Sequence, residues 1–154
     1  REIIIAFLTA MRGLYMIEVK IENLGNVIQT IDRLGRGLND NRYLLMRRLS
    51  GTLGAAVLQN FKQGGRPKWL GLKCRDGKPL IDTGALRGSI GELADNDTAL
   101  VGTNIVYAAI HHFGGQAGRN RKVTIPARPF LMLTNEDKQD LMDDVQDYFR
   151  GLLG

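Results

Sequence analysis

The chain has one cysteine, Cys74, and two histidines, adjacent at His111 and His112, among its 154 residues. A lone thiol excludes an internal disulfide and any zinc site built on several thiolates, and it fits a reducing compartment. Two neighbouring imidazoles leave little room for histidine-dependent chemistry. On a helix, consecutive side chains point about 100° apart and cannot share a metal as an i, i+4 pair would. Aromatic residues make up 6% of the chain and there is one tryptophan, Trp69, so bases would find few stacking platforms. No glycine pair stands in P-loop spacing, and no GxGxxG links a strand to a helix. The apolar run that starts at Ile3 ends at Arg12, short of the roughly 20 residues that cross a membrane. No cofactor, metal or membrane partner is therefore expected.

The rest of the composition is that of a globular domain, 44% apolar and 24% charged. A chain of this length supports one core and buries about 70% of its unfolded surface without a staple. Its net charge of +5 is unevenly placed. Residues 62–78 carry Lys62, Arg66, Lys68, Lys73, Arg75 and Lys78 against Asp76. Residues 136–150 carry Glu136, Asp137, Asp140, Asp143, Asp144 and Asp147 against Lys138 and Arg150. A basic balance suits nucleic acid, while opposite local signs suit copies that attract one another.

Met16 opens Met-Ile-Glu-Val-Lys-Ile-Glu, whose alternation predicts a β-strand. The segment before it has no basic start beyond Arg1 and no Ala-x-Ala cleavage site. Residues 1–15 are read as an upstream extension outside the fold, with Met16 as the natural start and 16–154 as a single domain. Val27, Ile31, Leu34 and Leu38 predict a helix over 26–38, and Asn39-Asp40-Asn41 supplies caps. A second helix follows on Met46, Leu49, Leu53, Val57 and Phe61, ending at Gly64-Gly65. Gly51 and Gly54 inside it imply close packing or a bend. Residues 62–79 and 115–122 are expected to form long basic loops, in which Trp69 and Leu70 either anchor the first loop or await a partner.

Leu86 to Leu93, Asp95-Asn96-Asp97 and Thr98 to Thr103 read as strand, turn, strand. Val106, Ala109, Ile110 and Phe113 predict a short helix stopped by Gly114-Gly115, and Val123-Thr124-Ile125 a strand. Pro126-Ala127-Arg128-Pro129 must be extended. Thr134 and Asp137 resemble a capping box before a last helix carrying Leu141, Val145, Tyr148 and Leu152 on one face. The predicted order is βααββαβα, an α+β fold with a largely antiparallel sheet packed by two to four helices.

Candidate chemistry is thin. Asp82-Thr83-Gly84 matches the aspartic-protease triplet, but that chemistry needs paired carboxylates between apolar strands. A turn capped by Asp82 or Thr83, with Gly84 at positive φ, is the simpler reading. Cys74 lacks a nearby histidine and reads as a surface thiol. His111-His112 reads as one packed and one solvated ring. The basic loops offer phosphate contacts without a recognised reader, so a sequence-nonspecific nucleic-acid-binding module is the alternative function.

Three motifs in order carry a resemblance. They are Asp82-Thr83-Gly84-x-Leu86-x-x-Ser89-Ile90, then Val101-Gly102-Thr103-Asn104-x-x-Tyr107-Ala108-x-Ile110-His111-x-Phe113-Gly114-Gly115, then Ile125-Pro126-Ala127-Arg128-Pro129-Phe130-Leu131. Together the sequence from Met16 onward resembles the phage virion morphogenesis (tail completion, head–tail joining) family of Mu-like and P2-like contractile-tailed bacteriophages and prophages. The resemblance implies a non-enzymatic assembly protein that forms a ring, commonly hexameric, among tail or neck proteins. It implies a place in the host cytoplasm during assembly and then in the virion, with nonspecific contact to packaged DNA.

Structural roles are expected for the motif residues Thr83, Gly84, Leu86, Ser89, Gly102, Thr103, Tyr107, His111, Phe113, Gly114, Arg128, Pro129 and Phe130. Tyr107 is expected to close its helix onto the sheet, and Arg128 to offer a bidentate bond to a carboxylate. The expected interface or DNA-facing residues are Lys62, Arg66, Lys68, Trp69, Lys73, Arg75, Lys78, Arg119, Arg121 and Lys122.

Overall fold

The computed structural model of the chain describes residues 4–11, 13–20, 42–96 and 98–153. Two strands come first, β1 (Ile4–Met11) and β2 (Gly13–Lys20), followed by the long helix α1 (Arg42–Gln63). A single helical turn α2 (Ala85–Gly88) precedes β3 (Gly91–Ala94) and β4 (Thr98–Thr103). The short helix α3 (Ala108–Phe113) leads into a hairpin of β5 (Gly115–Ala117) and β6 (Val123–Ile125), and α4 (Asn135–Leu153) closes the chain. The expected helix over 26–38 and its caps at 39–41 lie outside the described residues. The fold is α+β as the pattern predicts.

The larger sheet has the order β2-β1-β4-β3. β1 and β2 pair antiparallel, as do β3 and β4, while β1 and β4 run parallel from Ile4 opposite Thr98 to Thr9 opposite Thr103. Against the expectation that the chain before Met16 lies outside the fold, Ile4–Met11 is an inner strand, and β2 begins at Gly13. An apolar, β-branched run too short to cross a membrane is the right length for a strand flanked on both sides.

Two other expectations are corrected. Residues 86–93 are not one strand, because Gly84 at φ 78° starts a turn that winds into α2. The Thr83 hydroxyl accepts the Ala85 amide at 3.3 Å, and Leu86 is drawn into the core. Residues 115–122 are not a featureless loop. Gly115 pairs with Ile125 and Ala117 with Val123, and a 3₁₀ turn over Arg119–Arg121 joins the strands.

The core lies between α1, β4, α4 and the segment after β6. Leu45, Met46, Leu49, Leu53, Val57 and Phe61 form one buried stripe along α1, as helical periodicity requires. Ala99 and Val101 meet it from alternate positions of β4. Phe130 is fully buried with its ring centroid 5.4 Å from that of Phe61. Of the two glycines inside α1, Gly54 is the close-packed one: a Cβ there would sit 2.7 Å from the Glu92 carboxyl carbon. Nothing crowds Gly51.

Gly64 and Gly65, both at positive φ, end α1, and the Gly65 amide returns to the Asn60 carbonyl at 2.8 Å. At the other end of the core, the capping box forms with aspartate. The Thr134 amide donates to Asp137 Oδ2 at 2.9 Å and the Asp137 amide to Thr134 Oγ1 at 3.1 Å.

A buried polar network joins these two helix ends. Arg66 donates through Nη1 and Nη2 to the two oxygens of Asp137 at 2.9 and 2.8 Å. Its Nε reaches Asn60 Oδ1 at 2.7 Å and its Nη2 also reaches the Ala56 carbonyl at 2.7 Å. The Asn60 amide in turn donates to the carbonyls of Phe130 and Met132 at 2.7 and 2.9 Å. Arg66 is thus a structural cation, against the expectation that it faces a partner or DNA.

His112 is the buried ring of the histidine pair, 6% exposed. It stands edge-on to Phe130 and Phe113, with centroids 5.2 and 4.6 Å away, and Nδ1 accepts the Leu131 amide at 3.4 Å. Burial pushes its pKa down to about 4.

Removing one partner of a buried, hydrogen-bonded ion pair strands the other. Asp137→Ala is expected to cost about 3–5 kcal/mol of unfolding free energy. Asp143→Ala, on the exposed face of the same helix, is expected to change it by about 0.5 kcal/mol or less. Urea titrations of the two variants check the contrast.

For His112 the folded protein binds fewer protons than the unfolded chain between about pH 4 and 6.5. Stability is then full above pH 6.5 and falls as pH drops toward 4. His112→Asn keeps an acceptor for the Leu131 amide without a titrating ring. Its urea midpoint is expected to drift less between pH 7 and 4.5 than that of the parent, and equal drifts would reject the assignment.

Candidate functional site

The three motif segments converge on Arg128. Gly114, at φ 74°, lets the chain leave α3 against residues 125–127, where a Cβ would lie 2.7 Å from the Ala127 nitrogen. The Arg128 amide then donates to the His111 carbonyl at 2.9 Å. Its side chain turns toward the long basic loop, with Nε donating to Leu70 O at 2.9 Å and Nη2 to Gly71 O at 3.0 Å. The expected carboxylate partner is thus replaced by two backbone carbonyls, and Arg128 straps the loop to the body. A guanidinium offers several donors in one plane, so one side chain can hold two successive carbonyls.

The same loop is pinned at Trp69. The indole Nε1 donates to Pro129 O at 3.0 Å, and the ring packs edge-on to Phe61 with centroids 5.8 Å apart. Trp69 is therefore an anchor at 9% exposure and not a partner-facing or stacking residue, while Leu70 beside it is 68% exposed. Lys68 donates to the Gln63 carbonyl at 2.6 Å, closing the end of α1.

Two depressions flank the strap. On one side is a cleft of about 390 Å³ whose lining includes Thr83, Gly84, Leu86, Tyr107, His111 and Arg128. Tyr107 does not close α3 onto the sheet. It is half exposed and meets the His111 ring edge-on, 5.8 Å away. Burial, and after it the Arg128 cation, hold the His111 pKa below its ordinary value, so the ring is neutral near pH 7. Its Nδ1 is buried with no hydrogen-bond partner among the described residues. Asp82, at the cleft edge, faces Arg75 at 3.4 Å with three-quarters of its side chain in solvent. One exposed, paired carboxylate and a neutral imidazole do not form a nucleophile–base arrangement.

On the other side lies a groove of about 650 Å³ between the strap and the β5–β6 hairpin. Leu70, Leu72, Val123 and Pro126 form its apolar part, with Lys73, Arg75 and exposed Cys74 at the edge.

The remaining motif residues hold the scaffold. Ser89 Oγ donates to the Leu86 carbonyl at 2.7 Å, so the 2.5 Å contact with Thr103 Oγ1 is donated by the threonine. This joins α2 to the end of β4. Gly102 pairs with Gly91 across the β3–β4 ladder. The helix stripe read from Val106, Ala109, Ile110 and Phe113 is rotated in the structure. Ala108, Ala109 and His112 are buried, while Val106 and Phe113 are exposed.

Of the cations expected at an interface, Lys62, Lys68, Lys73, Arg75, Lys78, Arg119, Arg121 and Lys122 are exposed, Lys68 while donating to the Gln63 carbonyl. The acids of α4 divide. Asp144 and Asp147 bind Arg48 at 2.8 and 3.2 Å, the Thr52 hydroxyl also donates to Asp144, and Asp137 holds Arg66. Glu136, Asp140 and Asp143 face a second groove of about 560 Å³ along α1. The Asn60–Arg66–Asp137 network has no signal in the sequence beyond the capping box that contains Asp137.

A phage virion morphogenesis family model matches residues 22–150 of the chain. Mu-like prophage FluMu G protein 2 of Haemophilus influenzae is 51% identical over 138 residues, which cover 90% of this chain and 99% of that protein. Putative capsid assembly protein G of Escherichia phage Mu is 35% identical over 71 residues, 46% of each chain. No solved structure matches. The chain belongs to the phage virion morphogenesis family.

Proposed function

We propose that the chain catalyses no reaction and serves as a structural component of the phage particle, acting in tail completion or head–tail joining as a ring of identical copies. The observation that carries this reading is how the motif residues are used. Ser89 binds Thr103, Arg128 binds the strap carbonyls, and Gly114 admits residues 125–127. His112 Nδ1 is taken by the Leu131 amide. These groups build a rigid body and leave charged loops and apolar patches on its surface for other molecules.

Such a surface fits neighbouring tail or neck proteins, further copies of the chain, and packaged DNA passing by. The names of the two relatives point to a Mu-like prophage and, for the phage Mu protein, to capsid assembly. A position at the junction of head and tail agrees with the capsid assembly named for the phage Mu protein. The protein would be in the host cytoplasm during assembly and in the virion afterwards. The second reading, a nonspecific nucleic-acid-binding module, is favoured by the exposed cations Lys73, Lys78, Arg119, Arg121 and Lys122.

Inducing a phage that lacks the gene is expected to yield heads and tails that fail to join, or tails of faulty length, by electron microscopy, with infectivity restored by a plasmid copy. Complete infectious particles from the deletion would end the assembly reading. For the second reading, a fluorescence titration with duplex DNA should weaken steeply as salt rises. A flat dependence would remove it.

A further inference from the structure

We propose that the groove between the Arg128 strap and the β5–β6 hairpin receives the acidic face of α4 from a second copy of this chain. The inference rests on the assembly reading above and names the surfaces through which copies would meet. The groove combines two features that a lone folded chain does not need. Leu70 and Val123, 68% and 55% exposed, stand beside half-buried Leu72 and Pro126 in one depression of about 650 Å³. Among the described residues, Lys73 edges it unpaired, Arg75 edges it while also facing Asp82 at 3.4 Å, and no acid lines it. Arg128 contributes there too, since its Nη1 makes no hydrogen bond among the described residues while Nε and Nη2 hold the strap.

Charge complementarity selects the occupant. Along α4, Asp137, Asp144 and Asp147 are already held by Arg66 and Arg48 of the same chain. Glu136, Asp140 and Asp143 follow one another at helical steps of four and three, so they share one face. None of them is paired with a cation among the described residues, although Asp143 accepts from Gln139 at 2.9 Å. An acidic face set against an apolar groove with a cationic rim buries the exposed leucine and valine and brings opposite charges together at the edge. Nucleic acid fits less well, because Trp69, which could have stacked on a base, is committed to the core.

The two surfaces lie on different elements, so the contact is heterologous. Each copy would offer its groove to one neighbour and its α4 to another, a geometry that closes into a ring or runs on as a chain.

The test is sedimentation velocity on the full chain and on two doubly substituted variants, Lys73→Glu with Arg75→Glu and Asp140→Lys with Asp143→Lys. All four positions are exposed, and circular dichroism melts verify that each variant folds. Each reversal alone is expected to weaken self-association by about tenfold or more, because like charges then face each other. An equimolar mixture of the two is expected to associate again, since each groove then finds the opposite sign on the other variant.

A parent chain that stays monomeric, reversals that leave association unchanged, or a mixture that fails to recover would each overturn the proposal. So would the groove reversal abolishing duplex-DNA binding while self-association persists. None of these results touches the gene-deletion outcome, so failure of this pairing and failure of the assembly reading are separable.

Discussion

The buried contact between Arg66 and Asp137 is the constraint on which the arrangement of the molecule depends. Removing charges from water is costly, and a pair inside a protein is tolerated when geometry and extra hydrogen bonds satisfy both partners. Here the guanidinium meets both carboxylate oxygens and also Asn60 and a helix carbonyl, while the carboxylate additionally accepts the Thr134 amide. The pair fixes where α1 stops, where the basic loop starts, and where α4 begins. Through Asn60 it also fixes the backbone at Phe130 and Met132. Packing Phe130 against Phe61 and His112 requires that backbone to be in place, so the polar network and the apolar core are one unit.

Much of this was legible in the sequence, and the reasons for success and failure are physical. Helix α1 could be read because five core positions, Met46 to Phe61, recur at helical spacing and paired glycines follow. The start of α4 could be read because Thr134 and Asp137 are three residues apart, within the range of a local motif. Arg66 could not be read: a cation between glycine and proline in a basic stretch looks solvated, and its partner lies 71 residues away. The prolines on either side of Arg128 show that it is preorganised, but a backbone carbonyl 58 residues away leaves no trace as a carbonyl in the sequence. The opening apolar run suits neither a membrane nor a leader on sequence grounds, and the strand it forms is defined by ladders to β2 and β4. The turn of α2 leaves little trace in the sequence beyond Gly84, because four helical residues are too few for a periodicity to show.

The charge asymmetry visible in the sequence is finer in three dimensions. Residues 62–78 and 136–150 look like opposite blocks, yet part of each is used internally: Arg66 binds Asp137, Lys68 closes α1, Arg75 faces Asp82, and two further acids bind Arg48. The remaining charge is smaller and better localised. It sits at the strap edge, on the hairpin turn, and along one stripe of α4. For recognition this subtraction matters more than the net charge, because a charge already paired gains little by meeting a second partner.

The strap also explains how a loop without regular structure can present a defined surface. A free loop of this length would lose conformational entropy on binding, which weakens any contact it makes. Trp69 and the two carbonyls held by Arg128 fix residues 69–71 before a partner arrives, and Arg128 is itself stiffened by Pro126 and Pro129. Leu70 and Leu72 are therefore displayed from an ordered segment, between a cleft that contains Tyr107 and His111 and a groove that contains Val123. Ordering the loop beforehand lowers the cost of association. It also places apolar and cationic groups at fixed separations, the condition under which a repeated contact between copies can propagate with one geometry.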